Sequence, residues 1–363
     1  MPPLTIASVI HKDTALLELN WQLARKLNPT SEFQWLVADN RLENPGTPLT
    51  FGGDQVKLVP GAPLDTAIAQ QVRASYHHAL GLNQTIQHLN TRYALFLDPD
   101  YFIVQPDWIK LVLKHMEQSG LAFFGAPYHP KFYDKYRYFP CGICLFVDLE
   151  RVPKETIDYL PEYDLANMPA GWEIRVENEF HARLRRKMSE LPRPVAAALA
   201  IAARASGVSK LFQDRHRVQA ARDTGYKIFS RYAGNPETPS ECLVPVYRLP
   251  EDFSGPRHIF SGIPALLERK LPDNLSFIPK RPGYFTGRSF KDFGAPDAAG
   301  MGWEETLWND RPFGFHMHGT LRKKLGEWSA DDQMRFLQSL LEHFCDSLDF
   351  PASSPAVAQG KGR

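Results

Sequence analysis

Short apolar runs alternate with amphipathic stretches over residues 4–125. The runs Leu4–Ile10, Phe33–Ala38 and Tyr93–Leu97 have the length and apolar content of buried strands. Between them, apolar residues recur every three or four positions, which is the pattern of helices packed on a core. Strands that alternate with helices favour a mostly parallel sheet with right-handed crossovers. We therefore expect an α/β fold, with a Rossmann-like sheet flanked by helices.

The same reasoning predicts the remaining elements. Asp13 is expected to cap the first helix, and the Gly- and Pro-rich residues 41–54 are expected to form a loop. The other predicted elements are a strand at Gln55–Val59, a long helix from Thr66, a helix at Pro106–Met116, strands at Leu121–Gly125 and Ile143–Val147, and a helix at Ala330–Leu348.

The regular alternation is lost beyond residue 126. Residues 173–222 have a largely helical and basic pattern, and residues 234–300 are rich in Pro and Gly. We therefore expect two halves, 1–150 and 151–350, of which the second is a helical and irregular extension. The small residues of 351–363 predict a disordered tail.

The composition is that of a globular protein, with 43% hydrophobic and 23% charged residues among 363. The longest apolar stretch, Val195–Ala203, is too short to span a bilayer. The N-terminal residues lack the basic segment and apolar core of a signal peptide. Four cysteines in a chain of this length suit a reducing compartment. These features predict a cytoplasmic protein.

The net charge of +1 conceals a basic segment at residues 181–222. This segment holds ten Lys and Arg residues against two acids, a net charge of +8, which leaves −7 for the rest of the chain. We expect it to lie on an anionic membrane, peripherally on the inner face, or to bind a lipid-linked diphosphate acceptor. A solvated helical face is the alternative. No pattern of a nucleic-acid-binding fold is present, so we expect no nucleic-acid partner.

Polar residues follow three of the predicted strands. They are His11, Asp39 and the triplet Asp98-Pro99-Asp100. Ligands of parallel sheets bind at the carboxyl ends of strands, so these groups are expected to converge. Two carboxylates on a rigid strand end offer the hard oxygen ligands that Mg²⁺ or Mn²⁺ needs to hold a diphosphate. An Asp-x-Asp triplet also arises by chance, and it is the position at a strand end that favours the metal.

The order of strand, Asp-Asn, long helix, and apolar strand ending in Asp-x-Asp resembles the GT-A-fold glycosyltransferases, most closely the family 2 type. The resemblance implies a nucleotide diphosphate sugar as donor, bound by the half 1–150. It implies that Asp39 contacts the base or ribose, and that Asp98 and Asp100 hold the metal. The helix before that strand resembles the family's segment with a nucleotide-binding basic residue, here Arg73. We add His11 to the nucleotide-binding residues because it follows the first strand.

A late segment, Phe315-His316-Met317-His318-Gly319, carries two histidines. Only one of them is expected to complete the metal shell or to contact a phosphate. Some members of the resembled family have such a histidine. We favour His318, because the adjacent glycine allows close backbone approach. Two solvated or hydrogen-bonded histidines in a loop are the alternative.

Single displacement with inversion needs a carboxylate that takes the proton of the acceptor hydroxyl. In the resembled enzymes this residue comes well after the metal motif, often at a helix start, and Asp223 matches that position. The alternative is that Asp223 only caps the next helix. Three other acids remain candidates for the base, namely Glu173, Glu177 and Glu179.

Cys141-Gly142-Ile143-Cys144 has the spacing of a redox or zinc motif, but no second cysteine pair lies nearby. We interpret it as a glycine-containing turn that leads into a strand. The tyrosines and phenylalanines of 128–139 are candidates for stacking on a sugar, and equally for the core.

We expect a metal-dependent hexosyltransferase, which uses Mn²⁺ or Mg²⁺ and transfers a sugar to a glycan or lipid-linked acceptor with inversion, as in polysaccharide biosynthesis. One alternative is a nucleotide-sugar-binding protein without turnover. Another is a metal-dependent hydrolase or nucleotidyltransferase on a similar sheet, although the Gly-rich phosphate loop of many nucleotide enzymes is missing.

Overall fold

The computed structural model describes residues 2–11, 14–41, 45–61, 74–130, 136–161, 224–248, 281–317, 329–346 and 348. In these ranges the strands are β1 Leu4–Ile10, β2 Phe33–Asp39, β3 Val56–Pro60, β4 Tyr93–Leu97, β5 Tyr101–Ile103, β6 Phe123–Pro127, β7 Pro140–Asp148, β8 Ser240–Cys242, β9 Val244–Pro245, β10 Glu304–Trp308 and β11 Arg311–His316. The α-helices are α1 Ala15–Leu27, α2 Ala74–Gln87, α3 Trp108–Ser119, α4 Tyr226–Tyr232 and α5 Ala330–Phe344.

Seven strands form the main sheet, in the order β3-β2-β1-β4-β7-β6-β8. Strand β1 is parallel to both β2 and β4, and β2 is parallel to β3. Strand β7 is antiparallel to its two neighbours, β4 and β6. The predicted fold class, a mostly parallel α/β sheet flanked by helices, is confirmed.

The centre of the main sheet is buried on both faces, which explains the continuous apolar run of β1. All seven residues of β1 are buried. The buried hydroxyl of Ser8 on β1 donates to the carbonyl of Leu97 at 2.6 Å and accepts from Trp35 Nε1 at 2.9 Å. A buried hydroxyl with both roles satisfied costs little. This pair of bonds fixes the end of β4 against β1.

Helix α2 lies close to the end of β1 because position 81 is glycine. A Cβ at Gly81 would lie 2.7 Å from a methyl of Val9 and 3.0 Å from Asn40 Nδ2. Contacts that short force a shift of helix or strand, so glycine permits the close approach. The helix therefore brings His77 and His78 to the carboxyl end of β1.

Four strands form a second, antiparallel sheet in the order β5-β11-β10-β9. Strand β5 follows Asp100 directly and pairs with β11, so that Tyr101 lies opposite His316. Large apolar side chains of this sheet share one core with α1, α3 and α5. The small sheet thus begins just after the end of β4 and places β11, a distant part of the chain, beside it.

One predicted turn is wrong. Cys141–Cys144 lies inside β7, which begins at Pro140, and both of its cysteines are buried and free. The side chain of Tyr159 covers Gly142, where a Cβ would lie 2.9 Å from the ring. Glycine here makes room for an aromatic ring rather than for a turn. Residues that alternate in direction along a strand also cannot share one metal ion or one disulfide.

The other predicted elements occur with ends shifted by a few residues. Asp13, residues 66–73 of the predicted long helix, the basic segment 181–222 and the tail 351–363 lie outside the described residues. Among the helices of the described ranges, none combines the length and apolar character that a membrane crossing requires.

Candidate active site

The candidate site lies where the strand order of the main sheet reverses. From β1 the chain proceeds to β2 and β3 on one side, and then to β4 on the other side of β1. Parallel sheets form a crevice at such a point, just beyond the carboxyl ends of the two strands. His11 follows β1, and Asp98 follows β4. Both predicted residues therefore lie at one crevice.

The Asp98-Pro99-Asp100 turn is held on several sides. The Asp98 N–H donates to Ile143 O at 3.0 Å, and the Met317 N–H donates to Asp100 O at 3.0 Å. The buried amide of Asn20 on α1 donates to Tyr101 O at 2.7 Å and to Pro99 O at 3.3 Å. Bonds to β7, β11 and α1 make the turn a rigid mount for its two carboxylates.

Three side chains meet at this turn in an arrangement that fits a divalent ion. One ligand atom each from Asp98, Asp100 and His316 lies within 4.8 Å of the others. Ligands of Mg²⁺ lie about 2.0–2.1 Å from the ion, so opposite ligands are about 4.2 Å apart, and small side-chain rotations close the difference. Asp98 Oδ1 is buried and faces His78 Nε2 at 3.1 Å, so this oxygen is placed to bind either a protonated imidazole or a metal ion.

His316 bridges two acids. Its Nε2 lies 3.3 Å from Asp100 Oδ1, and its Nδ1 lies 3.1 Å from Glu304 Oε2. Burial works to lower the pKa of His316, but the charges of Asp100 and Glu304 outweigh it and hold the pKa well above the usual value. Burial likewise works to raise the pKa of Asp100, and the charge of His316 outweighs it, so this pKa is lowered. Without an ion, a protonated His316 offsets one of the two negative charges beside it.

Two further histidines line the crevice. His78 Nε2 lies 3.1 Å from Asp98 Oδ1, within ion-pair distance, and its ring centroid lies 6.0 Å from that of His11. Burial lowers the pKa of His11 to about 4, with help from the charges of His78 and His77. His11 is therefore neutral at neutral pH. For His78, burial acts downward, but the charge of Asp98 prevails and raises the pKa.

Asp39 lies at the end of β2, as predicted, but its carboxylate is fully engaged. Oδ1 accepts from the N–H and Nε of Arg41 at 3.1 and 2.7 Å. Oδ2 accepts from Arg41 Nη2 at 2.8 Å and from the Gly46 N–H at 2.7 Å. Burial works to raise the pKa of Asp39, yet these hydrogen bonds lower it below the usual value. A carboxylate has about four acceptor positions, so a nucleotide hydroxyl must replace one of these donors.

The structure thus brings together His11, Asp98 and Asp100 among the predicted site residues, and it adds His316. Three predicted residues, namely Arg73, Asp223 and His318, lie outside the described residues, as do the acids of 173–179.

Two residues of the site escaped the sequence analysis. His78 lies in the segment that carried the resemblance, where Arg73 was preferred as the basic residue. No local sequence pattern marks Glu304 as a site residue. An acid at the start of a strand is common, and the partner of Glu304, His316, lies twelve positions further along the chain.

An aromatic cleft lies beside the site on the α2 side of the sheet. It is lined by Tyr128, Tyr136, Phe139, Tyr159, Phe229 and the backbone of Thr224 and Gly225, among others. The Gly225 N–H donates to Tyr159 O at 3.2 Å, which fixes the start of α4 at the cleft. Asp223 immediately precedes this part of the lining.

No protein-family model matches the chain, and no curated protein matches it by sequence. Solved structures that are similar to it include galactosyltransferase LgtC with donor and acceptor sugar analogues, at 14% identity, a TM-score of 0.30, and coverage of 40% of this chain and 58% of LgtC. TarS 1–349 of S. aureus with UDP-GlcNAc is 13% identical, with a TM-score of 0.27 and coverage of 43% and 48%. Mannosyltransferase PcManGT of Pyrobaculum calidifontis with GDP-Man and Mn²⁺ is 11% identical, with a TM-score of 0.31 and coverage of 63% and 84%.

The chain therefore spans little more than half the length of LgtC. Because these TM-scores lie below 0.5, the assignment of a function depends on the site of this chain itself.

Proposed function

We propose that the protein is a metal-dependent glycosyltransferase with a nucleotide diphosphate sugar as donor. The observation that carries this proposal is the Asp98, Asp100 and His316 group at the crevice between β1 and β4. Two carboxylates and an imidazole are suitable ligands for Mn²⁺ or Mg²⁺. A crevice at a reversal of strand order is where parallel sheets bind nucleotides. The resemblance of the strand and Asp-x-Asp pattern to GT-A enzymes agrees with this reading.

In the proposed reaction, Asp98, Asp100 and His316 hold the divalent ion. When bound, such an ion neutralises the charge that develops on a leaving diphosphate. His11 and His78 line the same crevice and can offer ring N–H groups to phosphate oxygens. Arg41 donates to Asp39 and to Thr47 O of the following loop, where a nucleoside would enter.

We propose a single displacement at the anomeric carbon. The acceptor oxygen forms its bond to that carbon as the bond to the diphosphate breaks, and the acceptor proton passes to a carboxylate. Asp223 is the proposed base because in the sequence it directly precedes Thr224 and Gly225, which line the aromatic cleft.

A glycan or a lipid-linked glycan is the proposed acceptor, and the cytoplasm, with peripheral membrane contact, is the proposed location. Both depend on the basic segment 181–222. Attraction to anionic lipid is about 1 kcal/mol per basic residue and falls off within a Debye length, so binding to anionic vesicles should weaken strongly with salt.

The decisive experiment is a panel of nucleotide sugars tested for thermal stabilisation, with and without Mn²⁺. The proposal expects at least one donor to stabilise the protein only with Mn²⁺, and Asp100→Asn to remove that effect. Asp310→Asn is the matched control, because Asp310 is an exposed aspartate in the turn between β10 and β11. Stabilisation by nucleoside triphosphates but by no nucleotide sugar would favour a nucleotidyltransferase. Stabilisation that survives in Asp100→Asn would contradict the metal assignment.

A further inference from the structure

The second imidazole nitrogen of His316 faces a buried acid that the proposed reaction does not use. Glu304 is 2% exposed and begins β10, directly opposite His316 on β11. Its Oε2 lies 3.1 Å from His316 Nδ1. We propose that Glu304 is the positioning residue of the metal site, which orients His316 and fixes which of its nitrogens is available to the ion. This inference rests on the proposed function.

The two nitrogens of a neutral imidazole have different roles, one as N–H donor and the other as acceptor or metal ligand. A carboxylate can only accept, so Glu304 selects the form of His316 with the proton on Nδ1. The lone pair then lies on Nε2, which is 3.3 Å from Asp100 Oδ1 and therefore on the metal side. Metal-bound histidines in proteins commonly donate their other N–H to such a carboxylate.

The backbone around the pair is fixed by packing. Antiparallel pairing continues from Glu304 opposite His316 to Glu305 opposite Phe315. The ring of Phe315 stacks on Trp303 at 5.6 Å with an interplanar angle of 4°. Both residues that flank the pair are therefore anchored, and Glu304 cannot leave His316 without disturbing the small sheet.

The next residue along β10 offers a matched control. Glu305 is 1% exposed, so it is buried as deeply as Glu304, but it points to the opposite face of the strand. Its carboxylate accepts from the Phe290 N–H at 2.8 Å and from the Ala299 N–H at 3.0 Å. Substitution of either acid by glutamine removes one buried carboxyl group from the same strand, yet only Glu304 touches a residue of the metal group.

The experiment measures Mn²⁺ binding to the full-length protein without donor, by calorimetry and by electron paramagnetic resonance. In the wild type, bound Mn²⁺ should show the nitrogen coupling of one imidazole, and His316→Ala should remove it. Glu304→Gln should weaken Mn²⁺ binding by about 10–100-fold, the usual loss for a partner of a ligand. It should also change or abolish the nitrogen coupling. Glu305→Gln should leave both unchanged.

Equal Mn²⁺ affinity in the wild type and Glu304→Gln would overturn the inference and leave the proposed function intact. An equal loss in Glu305→Gln would also overturn it, because the effect would then come from the loss of any buried carboxyl group on β10. No Mn²⁺ binding by the wild type would instead refute the proposed function.

A measurement on the unmodified protein covers the case in which Glu304→Gln does not fold. With nitrogen-15-labelled histidine and Mg²⁺, the His316 signal, assigned by its loss in His316→Ala, should show a proton on Nδ1. That proton should resonate far downfield, as expected for a bond to a carboxylate. A proton on Nε2 would overturn the inference.

Discussion

The two sheets supply the candidate site by different routes. The main sheet contributes His11 and Asp98 from the ends of adjacent parallel strands, so their convergence follows from topology alone. The small antiparallel sheet contributes His316 and Glu304 from its β10–β11 hairpin, and the pairing of β11 with β5 brings this hairpin to Asp100 from far along the chain. The positions of the carboxylate ligands therefore depend on the order of neighbouring parallel strands, whereas the position of the histidine ligand depends on pairing between strands that are distant in sequence.

The Asp-x-Asp turn is the junction between the sheets. Strand β4 of the main sheet ends at Leu97, and β5 of the small sheet begins at Tyr101. The intervening turn therefore moves with both sheets. Any change that separates β11 from β5 should displace His316 from Asp100 and leave Asp98 in place.

The largest expected effect concerns which histidine completes the site. His316→Ala should lower Mn²⁺ affinity by more than the 10–100-fold that loss of a ligand's partner costs, because a ligand itself is removed. Mn²⁺-dependent stabilisation by the donor should disappear with it. His318→Ala, two positions further along, is the comparison variant and should retain most of the affinity. Calorimetric titration with Mn²⁺ measures both.

Loss of Mn²⁺ affinity in His318→Ala, with full affinity in His316→Ala, would instead support His318 as the ligand, as the neighbouring glycine suggested. Full Mn²⁺ affinity in His316→Ala would show that the small sheet supplies no ligand, and that the main sheet binds the ion without it.

The main sheet was predictable from sequence because its strands carry their own signal. The apolar runs of β1, β2 and β4 are buried on both faces, and the polar residues that follow them mark their carboxyl ends. Strand β10 gives no such signal. It begins with two successive acids, Glu304 and Glu305, which local patterns place on a surface. Both are buried because each has a partner that pairing or loop packing brings from another part of the chain.

A second prediction uses the pKa of Glu305 to test how the loop residues Phe290 and Ala299 are bonded to the small sheet. Burial raises the pKa of Glu305 from 4.5 to about 7, against the opposing effect of the two backbone donors at Phe290 and Ala299. The folded protein therefore binds this proton more tightly than the unfolded chain does. The contribution of Glu305 to the free energy of unfolding is fully present below pH 4.5. It is lost as the pH rises through 7, which lowers the free energy of unfolding by up to about 3 kcal/mol.

Urea unfolding between pH 4.5 and 8 measures this contribution. Glu305→Gln should flatten the decline in unfolding free energy that occurs in that range, because the variant has no proton to release. An unchanged slope in Glu305→Gln would assign the pH dependence to other groups. It would also show that the two backbone donors hold the carboxylate ionised in the folded protein.

The smallest expected effect tests the bond that ties β5 to the rest of the small sheet. Thr306 Oγ1 donates to Gly314 O at 2.9 Å. The proton of Thr306 is therefore used, so in the 2.6 Å contact between the Tyr101 hydroxyl and Thr306 Oγ1 the tyrosine is the donor. Thr306→Val keeps the shape but leaves a buried hydroxyl without this acceptor, which should lower the unfolding free energy by about 1–3 kcal/mol. Tyr101→Phe should cost less, because it removes the donor itself and Thr306 keeps its bond to Gly314 O. The double variant should cost less than the two single changes combined. Ser8→Ala breaks the equivalent tie in the main sheet and should cost a similar amount.

If Thr306→Val weakens Mn²⁺ binding as much as Ser8→Ala does or more, the small sheet positions the Asp-x-Asp turn as firmly as β4 does. If it destabilises the protein without changing Mn²⁺ affinity, the turn is held by the main sheet alone.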